Sequence, residues 1–422
     1  MSNPFRAILA FCALAVSSSI AGVVTDHGRL QVKGNQILDK NGEPFQVAGM
    51  SLYWSVWGGE KFYNRQVVDQ LANDWKSTVV RAAAAIEPVD AKVPANNGYL
   101  RNPTGITTAV KTVVDAAIAN DIYVIIDWHA DTANKEVAAA TTFFTDMAKT
   151  YGDKPNVIFE IWNEPNSKGG SGRNGAETWA DVKGYANQIL PVIRQYSQNL
   201  VIVGTPTWSQ DVDSAAKSPL VDTNVAYTLH FYACSHGHNL IKRADNARAK
   251  GLALFITEFG LSPADGGQRK SATNPTDNYR ICADSATFWL DWADQNKISW
   301  ANWSLVTIDE SSAALLPGAS ATGAWTDANL TQSGTWIRNR LRARPVTSVL
   351  PRNGSSASGM KRDGSLLVLP AGTVDALLLD PSGRAIASAL SERGALRLPQ
   401  RGIYWVRWRD GQGWHASSVL AP

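Results

Sequence analysis

Eight short runs rich in β-branched and aromatic residues, each followed by a longer stretch with helical spacing, limit the folds open to this chain more than any other feature. They cover residues 45–52, 78–84, 122–129, 157–164, 200–206, 225–232, 253–260 and 299–305. Strand-like runs that alternate with helical patterns signal repeated βα units around a parallel sheet. Eight such units suffice to close the sheet on itself, so the expected fold class is α/β, a (β/α)8 TIM barrel. The segments between the runs supply the outer helices. In 105–120 the residues Val110, Val113, Val114 and Ala117, and in 178–198 Val182, Tyr185, Ile189, Val192 and Ile193, recur at helical spacing. Residues 30–40, ending in Lys40-Asn41-Gly42, read as a hairpin ahead of the first strand that closes the barrel floor.

The chain has 422 residues, more than one barrel needs, and the surplus lies at its two ends. Residues 1–21 carry Arg6, an apolar run from Ala7 to Val16 and then small residues, the layout of a signal peptide. That run is shorter than the roughly 18 residues a membrane anchor requires. The barrel domain is expected over 22–343. From Arg344 the texture turns to Pro, Ser, Asn and Gly, so 344–359 reads as a linker. In 360–422, short strand-like runs split by Pro381-Ser-Gly383 and Asp410-Gly411 predict a small all-β sandwich.

The formal net charge is +3, and the tail carries the surplus, with ten basic against five acidic residues from Arg344 onward. A balance this small argues against a nucleic-acid partner, and a solvated β-domain surface accounts for it. Cys12 would leave with the signal peptide. Cys234 and Cys282 remain, and both fall in segments expected at one rim of the barrel. Export to an oxidising compartment favours a bridge between them over two buried thiols.

In a (β/α)8 enzyme the reacting groups sit at the C-terminal ends of the strands. Here those ends are polar: Arg81 in the second run, Asp127-Trp-His129 in the third, Asn163-Glu164 in the fourth, His230-Phe-Tyr232 in the sixth, Glu258 in the seventh and Trp303 in the eighth. Glu164 and Glu258 each follow an apolar run and face the same cavity. Hydrolysis of a glycosidic bond needs such a pair, one carboxyl protonated and one ionised. A structural ion pair at the barrel mouth is the plainer alternative. No Cys/His cluster with metal-ligand spacing occurs, so neither metal nor cofactor is expected.

Four motifs then stand out: Ile161-Trp-Asn-Glu-Pro165, Thr257-Glu-Phe-Gly260, Ile125-Ile-Asp-Trp-His129, and Trp300-Ala-Asn-Trp-Ser-Leu305 followed by Asp309-Glu-Ser-Ser312. Together they make the chain, from about residue 28 to 342, resemble glycoside hydrolase family 5, and within it the bacterial endoglucanases. The resemblance implies a retaining mechanism with Glu164 as acid/base and Glu258 as nucleophile. Side-chain chemistry agrees with those roles, since Arg81 beside Glu258 would favour its carboxylate and Tyr232 would hold it, while Glu164 has no evident cationic neighbour.

The same resemblance assigns Asn163 to the sugar 2-hydroxyl, His129 and His230 to substrate contact or glutamate orientation, and Glu310 to a sugar hydroxyl. Trp57, Trp208 and Trp303 match sugar-stacking positions. Of the 16 tryptophans, Trp75 and Trp289 lie in helical patterns and read as packing, while Trp54, Trp128 and Trp162 stay open. Two departures touch the subsites: Ile308 stands where related enzymes carry a lysine, and Ala82-Ala-Ala-Ala-Ile86 follows Arg81 where a tyrosine often occurs.

The implied function is a secreted endo-β-1,4-glucanase, a cellulase acting on a β-glucan polysaccharide in an open cleft. Mannan, xyloglucan and mixed-linkage glucan are alternative substrates, and a non-catalytic polysaccharide-binding barrel is the alternative of another class. The mature chain is expected as an extracellular monomer without membrane contact. Its tail would serve sorting or cell-surface attachment, or act as a carbohydrate-binding module through Trp405, Trp408 and Trp414.

Overall fold

The computed structural model describes residues 22–87, 97–166, 177–269 and 277–344, and strands with a few adjoining residues between 361 and 421. The signal-peptide segment 1–21 and positions 345–359 of the expected linker lie outside the described residues. The chain divides into two compact units, Met1–Ser348 and Val349–Pro422.

The first unit opens on the expected hairpin, β1 (Gln31–Lys33) paired antiparallel with β2 (Gln36–Leu38). Gly34 turns it at φ +61°, a conformation that favours glycine. Eight parallel positions then form the barrel: β3 (Ala48–Leu52), β4 (Val79–Ala85), β5 (Tyr123–His129), β6 (Val157–Glu160), β7 (Val201–Val203), the pair β8 (Val225–Thr228) and β9 (Phe231–Tyr232), β10 (Leu254–Gly260) and β11 (Ser299–Leu305). The ring closes because β11 pairs with both β10 and β3. Several helices begin at a side-chain cap. Asn102 accepts from Gly105 N–H ahead of the helix Pro103–Ala119, and Thr178 and Asp181 form a capping box on Trp179–Arg194.

Side chains alternate across each strand, and that alternation builds the interior in layers. At the floor, Val79, Tyr123, Ile125, Ile158, Ile202 and Phe255 pack against Leu30, Ile37, Phe45 and Val47, so the hairpin does close the barrel bottom. Each such apolar side chain, fully buried, contributes about 1.5–3 kcal/mol. Two residues further along four of these strands lie Arg81, Asp127, Glu160 and Thr257, all fully buried. Outward-facing Val80, Ala82, Val124, Ile126 and Phe159 meet the helices instead. Trp128 and Trp162 belong to that outer apolar layer and are completely buried, as are the packing residues Trp75 and Trp289.

Three expected strands run shorter than their apolar texture. Run 157–164 pairs only to Glu160, run 200–206 only over Val201–Val203, and run 225–232 breaks between β8 and β9. Apolar texture continues past the last ladder bond because Ile161 and Trp162 still face the helices, whereas the ladder ends as strands splay at the rim. Glu164 is therefore not a strand terminus. It lies four residues beyond one, tied back by its N–H to Ala130 O at 3.4 Å.

Cys234 and Cys282 form a disulfide with Cα atoms 5.2 Å apart, closing a loop of sequence separation 48. It joins the chain after β9 to the N-cap of the helix Ala283–Gln295. Constraining a loop of that length in the unfolded chain stabilises by about 2–4 kcal/mol. Reduction is expected to lower the melting temperature by roughly 5–10 °C. An unchanged melting curve, with two thiols titrating before reduction, would contradict the bridge.

Among its described residues the second unit contains strands only. One antiparallel sheet contains β12 (Lys361–Asp363), β13 (Leu366–Val368) and β16 (Ala395–Arg397). The other contains β14 (Asp375–Leu379), β15 (Ala385–Ala387), β17 (Gly402–Asp410) and β18 (Gly413–Ala421). Leu367, Ala376, Leu378, Leu396 and Val406 are buried in it.

Candidate active site

Arg81 organises the C-terminal mouth of the barrel. Its Nε lies 2.7 Å from Glu160 Oε2, Nη2 lies 2.9 Å from Asp127 Oδ2, and Nη1 lies 3.2 Å from Glu258 Oε2. Nη2 also donates to Asn163 Oδ1 at 2.6 Å. Burial opposes its charge, but the three carboxylates outweigh burial and hold the guanidinium firmly protonated. One cation does not neutralise three anions in a dry layer. Burial accordingly pushes Asp127 up to about 7, against the pull of Arg81, and raises Glu160 as well.

Glu258 is gripped at both oxygens, since Tyr232 Oη donates to its Oε1 at 2.6 Å while Arg81 holds the other. Burial and the Glu258 charge keep the Tyr232 phenol protonated. Glu258 is not the last residue of its strand. β10 continues to Gly260, and its register against β11 slips by one residue between Ile256 and Phe259. Strict alternation would send Thr257 and Glu258 to opposite faces. The bulge turns both inward.

Glu164 is held differently. Its Oε1 lies 2.8 Å from His230 Nδ1, and 18% of its side chain stays open to the cleft. Burial raises its pKa to about 7, with Arg81 pulling the other way and the charges of Glu160 and Asp127 adding to the rise. Burial likewise lowers His230 to about 4, so this neighbour is no cation at neutral pH. Oxygens of Glu164 and Glu258 and a nitrogen of His230 all lie within 4.8 Å of one another. That spacing is small enough for a metal ion, but Arg81 already supplies the local cation, and each carboxyl already has side-chain partners, Arg81 and Tyr232 for Glu258 and His230 for Glu164. The cluster thus presents two unlike carboxyls, one clamped by a guanidinium and a phenol and the other desolvated beside an imidazole.

The remaining expected residues fall around this pair. His129 Nδ1 sits 2.6 Å from Asp127 Oδ2, and its ring lies between Trp54, edge-on at 4.2 Å, and Trp303, stacked at 5.2 Å. Trp57 is 39% exposed and stands edge-on to Trp54 at 5.1 Å. Trp208 lies in a turn where Thr207, Trp208 and Ser209 all take positive φ, near +60°, +53° and +56°. Ser209 anchors that strained turn to both halves of the site, donating through Oγ to Asn163 O and accepting from His230 N–H. Glu310 accepts from Ser312 Oγ at 2.9 Å and from Gln268 at 3.3 Å, and burial raises its pKa. Gly266 makes room for it, because a Cβ there would stand 2.3 Å from its Oε2. Ile308, in place of a lysine, is partly buried against the apolar core.

Sequence reading did not single out Thr257 or Glu160, left Trp54 open, and quoted Asp127 without a role. A usable signal existed for the first two. Each is the first polar residue of an otherwise apolar run, two positions past an inward side chain.

Comparison with known proteins places this geometry in a family. The cellulase family, glycosyl hydrolase family 5, matches residues 38–307. The chain is 41% identical to Endoglucanase A of Evansella cellulosilytica over 345 residues, covering 80% of this chain and 64% of that protein. It is 40% identical to Endoglucanase Z of Dickeya dadantii, covering 78% of this chain and 68% of that one. It thus spans about two thirds of the length of these relatives. Among solved structures, the catalytic domain of Thermobifida fusca endoglucanase Cel5A in complex with cellotetraose superimposes with a TM-score of 0.66 at 31% identity, covering 76% of this chain and 99% of that one. With its closed parallel barrel and two unlike glutamates at the mouth, this chain belongs to the cellulase family of glycoside hydrolases, family 5.

Proposed function

We propose that the protein is a secreted endo-β-1,4-glucanase that hydrolyses internal bonds of β-glucans with retention of configuration. One observation carries the reading: two carboxyls with oxygens within 4.8 Å, one clamped by Arg81 and Tyr232, the other desolvated to a pKa of about 7. Retaining enzymes hold their carboxyls at about 5–5.5 Å, whereas inverting ones need roughly 6.5–9.5 Å to admit a water. Glu258 attacks the anomeric carbon while Glu164 gives its proton to the departing glycosidic oxygen. The glycosyl ester neutralises Glu258. Glu164, now ionised, takes a proton from water, whose oxygen attacks the same carbon and returns Glu258 as carboxylate.

Asn163, fixed through its carbonyl by Arg81 and with its amide nitrogen 3.4 Å from His129 Nε2, keeps a second amide N–H for the sugar 2-hydroxyl. Trp57, Trp208 and Trp303 offer ring faces for pyranose stacking, and Glu310 accepts from a hydroxyl on the glycone side. The names of the relatives and the cellotetraose bound to the Thermobifida fusca domain support a β-glucan substrate. The disulfide and the layout of residues 1–21 support export. No helix among the described residues is long and apolar enough to cross a membrane. The test is reducing-end release from carboxymethylcellulose, lichenan and mannan side by side. Release from the first two is expected. Release from mannan alone would make the enzyme a mannanase, and none from any would favour a polysaccharide-binding role.

A further inference from the structure

The polar layer below the two glutamates contains a chain of hydrogen bonds that the double displacement leaves unused. Thr257 Oγ1 lies 2.6 Å from Glu160 Oε1 and 2.9 Å from His230 Nε2. His230 Nδ1, on the other side of the ring, lies 2.8 Å from Glu164 Oε1. The far oxygen of Glu160 accepts from Arg81 Nε at 2.7 Å. All members except Glu164 are at most 1% exposed, so water does not supply missing partners.

A hydroxyl has one proton, and a neutral imidazole has one N–H and one bare nitrogen. Those counts set the direction of the chain. Paired with the Arg81 cation, the Glu160 carboxylate has no proton to give, so the Thr257 hydroxyl donates to it. The threonine lone pair then faces His230, which meets it with Nε2–H. That leaves Nδ1 bare toward Glu164.

We propose that Thr257 and Glu160 are positioning residues that lock His230 in its Nε2–H tautomer and so present a bare Nδ1 to the acid/base. The proposal rests on the reading of Glu164 as that residue. The contact of 2.8 Å is then a hydrogen bond only while Glu164 is protonated, so the resting acid is stabilised in the form it needs. Once the proton has left with the sugar oxygen, the Glu164 carboxylate faces a lone pair. That repulsion favours taking a proton from the incoming water, which restores the starting arrangement with no net change on His230, Thr257 or Glu160.

Losing the threonine hydroxyl frees the ring to take the other tautomer. Nδ1–H would then donate to Glu164 and stabilise its carboxylate. The other groups facing Glu164 are Glu258 from β10, Arg81 from β4, Asp127 from β5, Glu160 from β6, Asp131 beyond β5 and Tyr232 from β9. His230 additionally senses Glu258, His129 and His236. A change at Thr257 removes no charged side chain among them, and the only one it touches directly is Glu160, through the hydroxyl at 2.6 Å.

The experiment follows kcat/KM against pH for wild type, Thr257→Val and Thr257→Ser, on an unactivated cello-oligosaccharide and on an aryl cellobioside with a good leaving group. Thr257→Val should move the basic limb down by about one pH unit, which is tenfold in the ionisation equilibrium. It should cost about tenfold on the oligosaccharide above neutral pH, while Thr257→Ser and the aryl substrate stay near wild type. An unmoved limb, equal losses on both substrates, or a serine variant as impaired as the valine would overturn the proposal. Nitrogen-15 spectra of histidine-labelled wild type check the tautomer without any variant at Thr257: Nε2 protonated and Nδ1 bare supports it, and the reverse overturns it. Glu164→Gln, run alongside, tests the underlying reading separately, because retention of the wild-type basic limb there would displace Glu164 as the acid, whatever Thr257 does.

Discussion

Glu258→Ala is expected to lower turnover of β-glucan by on the order of 10⁴-fold or more, the scale seen when a covalent nucleophile is removed. No other carboxylate in the mouth can replace it. Asp127 and Glu160 are fully buried one layer lower, Glu164 is tied to His230, and Glu310 is engaged by Ser312 and Gln268. The fold should survive the change. Arg81 keeps Asp127, Glu160 and Asn163 as partners, and removing one anion from a cluster with too few cations eases its charge balance. Binding of cellotetraose by calorimetry should therefore change little while reducing-end release disappears. Azide added with an activated aryl cellobioside should restore bond cleavage and give the α-glycosyl azide, because a small anion can attack from the vacated side. Activity within tenfold of wild type would show that Glu258 is not the nucleophile.

Glu164→Ala should be the second largest effect, about 10²–10⁴-fold on polymer, the usual contribution of a general acid. The signature lies in the pattern. Aryl glycosides that leave without protonation should keep a fast first step, and the glycosyl-enzyme should accumulate because its hydrolysis loses the base. The pH profile gives an independent check. The acid must be protonated to act, and burial places its pKa at about 7, so kcat/KM of the wild type should fall as pH rises through neutrality. That limb should vanish in Glu164→Ala on activated substrates. If the aryl substrate loses as much in its first step as the polymer does, Glu164 is not the acid.

Much of the fold was legible because a barrel strand leaves two marks in the chain, a short apolar run and a polar end. All eight runs appear as strands, and the hairpin at residues 30–40 does pack under them. Where the strands stop was not legible. Ile161 and Trp162 are as apolar as Ile158 and Phe159, and burial against helices looks the same in sequence as burial within a paired strand. The tryptophans divide for a similar reason. Trp128 and Trp162 lie in the same motifs as His129 and Glu164, yet alternation and the end of the ladder turn their rings outward into the helical layer.

The chain by itself determined the barrel, the polar rim and the identity of two unlike carboxyls, because each of these follows from residue type and local period. The tertiary structure alone decided how the carboxyls differ. The charge clamp on Glu258 joins Arg81 of β4 with Tyr232 of β9, and the raised pKa of Glu164 comes from its burial once the barrel mouth is assembled, against the pull of Arg81 and with the charges of Glu160 of β6 and Asp127 of β5 adding to it. The bulge at Thr257 and Glu258 is invisible in the run Leu254-Phe-Ile-Thr-Glu258, since the extra residue is defined only against β11. Residues far apart in sequence share a low-dielectric layer only after the sheet has closed, and their distances and proton positions are properties of that closure.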